Sequence, residues 1–287
     1  MTICHYKNIK LNEVSDLEQL SKKHNTKIAV GIIDKGEIDE LLKQVGFSPN
    51  KSFDQYLIAY VDFLGIKEKM NKENSYESLF YLKVLLSDIL HKATSVKNIN
   101  TIDDFKIKVF SDNIVIAQKI KADIIDAQII SIINLISLLQ FEAFFQFDFS
   151  LRGGVTIGDL YIDDEVVWGT GLIEAYQIED KLANYPRVIV SQKVICEYER
   201  CQEKSLNLYS MIKQDIDGYW FIDYLLAVPN IRIIPLLSDS LANIASLHTN
   251  DNDRVKQKIN WVISYFNSYC CRFADRGDYE KVIVPYI

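Results

Sequence analysis

The sequence lacks a basic charge surplus, metal-spaced cysteines, clustered histidines and a membrane-length apolar run, and each absence removes a class of function. Its net charge of −7 over 287 residues speaks against general nucleic-acid binding, which needs a basic face. A small anionic substrate is still allowed, provided a metal ion and a few local cations offset the repulsion. The five cysteines fit no common zinc spacing; Cys270 and Cys271 are adjacent, and Cys196 and Cys201 stand apart. Free thiols in a reducing cytoplasm are expected. His5, His24, His91 and His248 are scattered, and none sits beside a carboxylate cluster. The most apolar stretch, Ala127–Phe141, carries Gln128, Ser131, Asn134 and Ser137 and falls short of the roughly 20 residues of a membrane span. It is expected to be a buried core helix. The N-terminus has no basic start followed by an apolar run, so neither a signal peptide nor a membrane partner is expected. No internal repeat or low-complexity segment is present.

What the sequence has is a hydrophobic content of 48%, ample for a sizeable core. Residues 1–52 read as an N-terminal extension: a helix over Glu13–Lys23, a strand over Lys27–Ile33, a helix over Glu37–Val45 and a turn-rich linker, Gly46–Asn50. Residues 53–225 read as the main domain. Gln55–Val61 is an apolar, β-prone run expected to form a buried strand. A helix over Tyr76–Thr94 follows, with Leu79, Leu82, Leu85, Leu86 and Ile89 at helical spacing. Phe105–Phe110 and Ile114–Gln118 flank Ser111-Asp112-Asn113, a hairpin with turn residues at its tip. Beyond it the pattern predicts a helix over Ile124–Phe145, strands over Phe147–Ile157 and Leu160–Ile162, a helix over Leu172–Leu182 and a strand over Arg187–Val190. A second hairpin pairs Leu206–Lys213 with Tyr219–Tyr224. Residues 226–287 are expected to be a helical C-terminal extension, clearest over Arg254–Phe273. This element order predicts an α+β fold of the ferredoxin-like or palm kind, an antiparallel sheet with helices on one face.

Two aspartates stand out because each closes an apolar strand, where a charge is costly. Asp62 follows Leu57-Ile58-Ala59-Tyr60-Val61, and Asp112 follows Lys106-Ile107-Lys108-Val109-Phe110. In a palm sheet these strands are neighbours, so the two carboxylates converge and repel unless a divalent cation lies between them. Hard oxygen donors of this kind suit Mg²⁺ or Mn²⁺. Side chains two apart share a strand face, which sets Tyr60 with Asp62 and Lys108 with Asp112. Gly65 permits a tight turn into a helix over Ile66–Met70, whose N–H groups would face a triphosphate. Taken singly, each aspartate would equally serve as a turn or helix cap.

In order and spacing these segments resemble the class III nucleotide cyclases. Ile58-Ala59-Tyr60-Val61-Asp62-Phe63-Leu64-Gly65-Ile66 is similar to that family's first metal-binding strand and phosphate turn, and Lys106–Asp112 to its second metal hairpin. Leu151-Arg152-Gly153-Gly154-Val155-Thr156-Ile157-Gly158 resembles the next strand, and Val167-Trp168-Gly169 through Glu179 the helix bearing catalytic residues. The resemblance implies two divalent ions held by Asp62, the Phe63 carbonyl and Asp112, and substrate contacts from Tyr60, Phe63, Leu64, Gly65 and Lys108. It also implies a site at a homodimer interface, with Arg152 and Lys213 as phosphate cations in cis or from the partner, and Arg187 as a further candidate. There are departures. The family's transition-state asparagine and arginine fall on Ile173 and Gln177, and its adenine-reading aspartate falls on Val166, while the base-reading lysine is kept as Lys108.

Val166 cannot accept a hydrogen bond from an exocyclic amine, which argues against ATP. The pattern Asp-x-Leu-Gly, Phe-Ser-Asp, Arg-Gly-Gly, Gly-x-Gly-Leu-x-Glu-Ala-Tyr-x-x-Glu and Tyr-Pro-Arg is similar to the pyrimidine cyclases of the Pycsar anti-phage systems. That resemblance implies conversion of UTP, with CTP as the alternative, to a cyclic monophosphate that alone connects the enzyme to its effector. Two other readings stay open: a catalytically inactive nucleotide-binding or dimerising domain, and a palm polymerase or diguanylate-cyclase relative. Against the last, the hairpin reads Phe-Ser-Asp-Asn in place of a Gly-Gly-Asp-Glu-Phe-like motif.

Overall fold

A computed structural model describes residues 53–64, 76, 79–87, 105–147, 149–202, 204, 206–228, 231–274 and 283–287. The expected N-terminal elements, the Gly65 turn, the helix over 66–70 and residues 77–78 and 88–94 of the helix expected over 76–94 lie outside the described residues. The described residues fall in one compact unit, Phe53–Ile287.

The elements are β1 (Asp54–Leu64), β2 (Phe105–Phe110), β3 (Asn113–Lys119), α1 (Ile125–Phe147), β4 (Ser150–Ile162), β5 (Val167–Trp168), α2 (Thr170–Lys181), β6 (Val188–Val190), α3 (Gln192–Arg200), β7 (Ile212–Gln214), β8 (Trp220–Ile222), α4 (Ile234–Leu247) and α5 (Asp253–Ala274). The strands lie in the order β2-β3-β1-β4-β6-β8-β7, and β5 pairs with β4. This is the α+β palm expected from the sequence. The sheet is mixed, because β4 and β6 run parallel while the other pairs are antiparallel. A parallel pair needs a long crossover, and α2 occupies that connection.

Strand β1 sits between β3 and β4 and is apolar on both faces, as a central strand must be. Leu57, Ala59, Val61 and Phe63 face α1, sharing a core with Ile129, Ile132, Ile133 and Ile136. Leu82 and Leu85, from the helical stretch 79–87, join the same core. By length and composition α1 would cross a membrane, but 83% of its most apolar window is buried inside the protein. Burial identifies it as the core helix.

On the opposite face Ile58, Val115, Ala117, Leu160 and Ile162 pack with Ala175 of α2. Two glycines of β4 make that approach close. A Cβ on Gly154 would lie 2.6 Å from Ile178, and one on Gly158 would lie 2.6 Å from the Gly171 backbone. Gly158, read from sequence as a break between two strands, is therefore a packing position inside one continuous strand. The first part of the second expected hairpin is also different: Leu208–Ser210 is a 3₁₀ turn, so β7 begins only at Ile212.

The C-terminal helices are joined to the sheet through a second core. In it Phe221 of β8 and Phe141 and Phe144 of α1 meet Leu241, Val262 and Phe266.

Candidate active site

Asp62 and Asp112 are brought together where β1 meets the β2–β3 turn. Asp62 stands opposite Asn113 on β3, and the Phe63 N–H donates to the Asp112 carbonyl at 2.9 Å. In an antiparallel pair a residue's N–H and C=O face the same neighbour, so the Phe63 carbonyl also faces the hairpin tip. The turn consists of Ser111 and Asp112 alone, and Ser111 takes a left-handed φ of 57°. That matches the mirror-image turns that two-residue hairpins favour. Asp112 is only 6% exposed, and its Oδ1 accepts from the Asn113 amide at 3.3 Å.

Cross-strand neighbours share a face. Arg152 on β4 stands directly opposite Asp62, and its Nε donates to Asp62 Oδ2 at 3.2 Å. The other end of the same guanidinium pairs with Glu179 Oε1 of α2 at 2.6 Å. Tyr60 occupies this face too, edge-on to Tyr176 of α2 at 5.5 Å. Burial first, then the charges of Glu179, Asp62 and Asp112, push the Tyr60 hydroxyl up to about 12. It is therefore a neutral hydrogen-bonding group.

Glu179 and Tyr176 were missed as site residues. A signal existed for Glu179: it stands four residues after buried Ala175, on the stripe that also contains Gly171 and Ile178. An acid on a buried helical stripe calls for a partner. Burial pushes the Glu179 carboxyl up to about 7, outweighing the lowering effect of Arg152. Because its folded value is raised above the ordinary 4.5, it contributes stability below about pH 4.5 that is lost as pH rises through about 7. In the metal-free protein, unfolding free energy should fall on the order of 2–3 kcal/mol more for wild type than for Glu179→Gln between about pH 5 and about pH 8. Urea unfolding in EDTA measures this; parallel pH profiles would refute it.

Other expected site residues lie elsewhere. Lys108 shares the Tyr60 face, yet its Nζ donates to the Asp164 carbonyl at 2.9 Å, and Lys106 Nζ donates to the Ile162 carbonyl at 2.7 Å. Both lysines thus tie the edge strand to the β4–β5 loop. That loop is knotted around Asp163, which accepts from Tyr161 and from the Glu165 and Val166 N–H groups. These bonds hold the Asp163 carboxyl down at about 2.

Lys213 lies away from this corner within the chain. It is on β7, four strands from β1, with its Nζ 5.6 Å from the Tyr265 ring centre. Within one chain it cannot reach the carboxylates, because roughly 4.8 Å separates each strand from the next. Arg187 is structural: fully buried, it pairs with Asp215 and Asp217. Leu64 ends β1 opposite Ser150.

The donor set fits a divalent cation held jointly with a substrate. Two aspartates and a backbone carbonyl are brought to one corner by the strand register, while no group of three or more ligating side chains exists among the described residues. Mg²⁺-type ions are typically held by one or two carboxylates plus substrate phosphates, not by an all-protein cage.

No family model matches the sequence, and no curated protein matches it. Similar solved structures include the monomeric guanylyl cyclase domain of the RhoGC fusion protein from Blastocladiella emersonii (10% identity, 60% of this chain and 96% of that one, TM-score 0.44). Others are an adenylate/guanylate cyclase/hydrolase from Silicibacter pomeroyi (16% identity, 60% and 96%, TM-score 0.37) and the guanylyl cyclase Cya2 (12% identity, 60% and 94%, TM-score 0.37).

Proposed function

We propose that this chain is a metal-dependent nucleotide cyclase of the class III kind, with UTP as its substrate and CTP as the alternative. The observation that carries the reading is the meeting of Asp62, Asp112 and Arg152 at one corner of a palm sheet. The reaction is intramolecular. The ribose 3′-oxygen attacks the α-phosphorus in line, the bond to the β-phosphate oxygen breaks, pyrophosphate leaves and the 3′-hydroxyl proton passes to solvent.

Asp62, Asp112 and the Phe63 carbonyl would hold two Mn²⁺ or Mg²⁺ ions. When bound, these lower the pKa of the 3′-hydroxyl and neutralise phosphate charge. Arg152 supplies fixed positive charge beside Asp62. Tyr60 and Tyr176 offer an aromatic wall for a small base, and Val166 is exposed at the β4–β5 turn. Tyr60→Ala should shift the ratio of UTP to ATP conversion by about tenfold, measured by product mass spectrometry under competition. An unchanged ratio would remove Tyr60 from the pocket.

Assembly as a homodimer is part of the proposal. Trp168, Ile173 and Tyr176 present exposed apolar surface on β5 and α2, and Gln177 is exposed beside them. Residues 53–225 would form the catalytic domain, flanked by the extensions 1–52 and 226–287. A cytoplasmic second-messenger role in anti-phage defence, reaching the effector only through the cyclic product, is supported by the Pycsar-like sequence pattern. The inactive-domain reading is favoured by Ile173 and Gln177, which lack the family's transition-state groups. Purified protein with each of the four NTPs and Mn²⁺ decides between them: a cyclic pyrimidine product supports the cyclase, and none from any NTP supports the inactive domain.

A further inference from the structure

The guanidinium of Arg152 is shared between two carboxylates of unequal status. Its inner nitrogen touches Asp62 at 3.2 Å, and its outer fork touches Glu179 at 2.6 Å. Glu179 is 3% exposed and stands on α2, whereas Asp62 and Arg152 are direct partners on neighbouring strands. An arginine left to one carboxylate closes on it bidentately. Here the shorter contact, an ion pair, goes from the outer nitrogen to the helix, and only the inner nitrogen bonds Asp62.

We infer that Glu179 is a positioning residue: it holds the Arg152 fork off Asp62, so that Asp62 stays available to a divalent cation. The inference rests on the two-carboxylate metal site proposed above. Glu179 itself touches neither cation nor substrate. It acts as the alternative acceptor for Arg152, which would otherwise compete with the metal for the Asp62 oxygens. The close packing of α2 on Gly154, two residues along β4 from Arg152, fixes the distance over which this hand-off works.

The test is Mn²⁺ binding by the full chain, alone and with 3′-deoxy-UTP, which cannot cyclise; calorimetry reads affinity and circular dichroism reads folding. Glu179→Gln should weaken Mn²⁺ binding about tenfold, the range seen when a partner that orients a metal ligand is removed. Adding Arg152→Gln to that variant should bring affinity back to within about threefold of wild type, since the competing fork is gone. Glu179→Asp, which keeps the charge but withdraws the carboxylate, should also weaken binding.

Wild-type affinity in Glu179→Gln would overturn the inference. So would wild-type affinity in Glu179→Asp beside a weakened Glu179→Gln, because only the local field would then matter. A wild-type chain that takes up no Mn²⁺ in either condition overturns it as well. Mn²⁺ uptake without any cyclic product sinks the cyclase reading alone and leaves the titrations to judge Glu179. In the cyclase assay, Glu179→Gln should raise the Mn²⁺ concentration for half-maximal velocity more than it lowers kcat.

Discussion

Asparagine at position 62 or 112 is expected to lower cyclic-product formation by about 10³-fold or more while leaving a folded protein, since each change removes a charge that would hold the cations. Asp62 and Asp112 converge at the β1–hairpin corner, where like charges repel. Neutralising either relieves that repulsion, and Arg152 retains Glu179 as its counter-ion. Metal-free stability of the Asp112 variant should therefore equal or exceed that of wild type, and that of the Asp62 variant, which also loses its pair with Arg152, should stay within about 1 kcal/mol of it. Initial rates with Mn²⁺ and thermal melts in EDTA measure the two halves. A variant with near-wild-type turnover refutes the metal assignment; one that is inactive because it unfolds refutes the claim that these acids serve function at the expense of stability.

The second large effect concerns a charge far from the chemistry. Arg187 is the largest fully buried side chain among the described residues, paired with Asp215 and Asp217 in the β7–β8 turn. Its guanidinium carbon lies 5.6–5.9 Å from the ring centres of Tyr185, Phe221 and Trp261. Trp261 Nε1 also donates to Asp215 Oδ2 at 2.9 Å. Removing the cation leaves two half-buried carboxylates facing each other and an aromatic box without its charge. Arg187→Met should cost about 3–5 kcal/mol, a fall in Tm on the order of 10 °C. Lysine cannot reproduce the fork, so Arg187→Lys should recover only part of the loss. A Tm within about 2 °C of wild type in Arg187→Met would refute the structural role.

How legible each feature was depended on how local its cause is. Strand β1, the Ser111-Asp112 hairpin and α1 are written in short stretches: an apolar run, a turn dipeptide, a long apolar helix. The pairing of Asp62 with Asp112 followed from their shared habit of ending apolar strands. The placements of Lys213, Arg187 and Glu179 have no such local sign. Lys213 reads as a cation on a hairpin, yet its surroundings come from Tyr265 and Arg272 on α5; burial, then Arg272, depress its pKa. Arg187 reads as a strand residue of either role until Asp215, Asp217 and Trp261 arrive from later in the chain. The continuity of β4 was obscured because Gly158 resembles a break in sequence and serves as a contact point for Gly171 in space.

The box around Arg187 also bears on the order in which the molecule can be made. A nascent chain emerging from the ribosome exposes residue 187 before either of its aspartate partners has emerged, and Trp261, which fastens Asp215, comes later still. Until then the Arg187 guanidinium lacks the carboxylates that pair with it in the folded protein. The corner holding Asp62 and Asp112 is written much earlier, yet its neighbour β4 borders β6, the strand that follows Arg187. Non-local closure of this kind is slow. The last contact that completes the surroundings of Arg187 is therefore supplied by a tryptophan on α5, far along the chain from the strand it helps to seat.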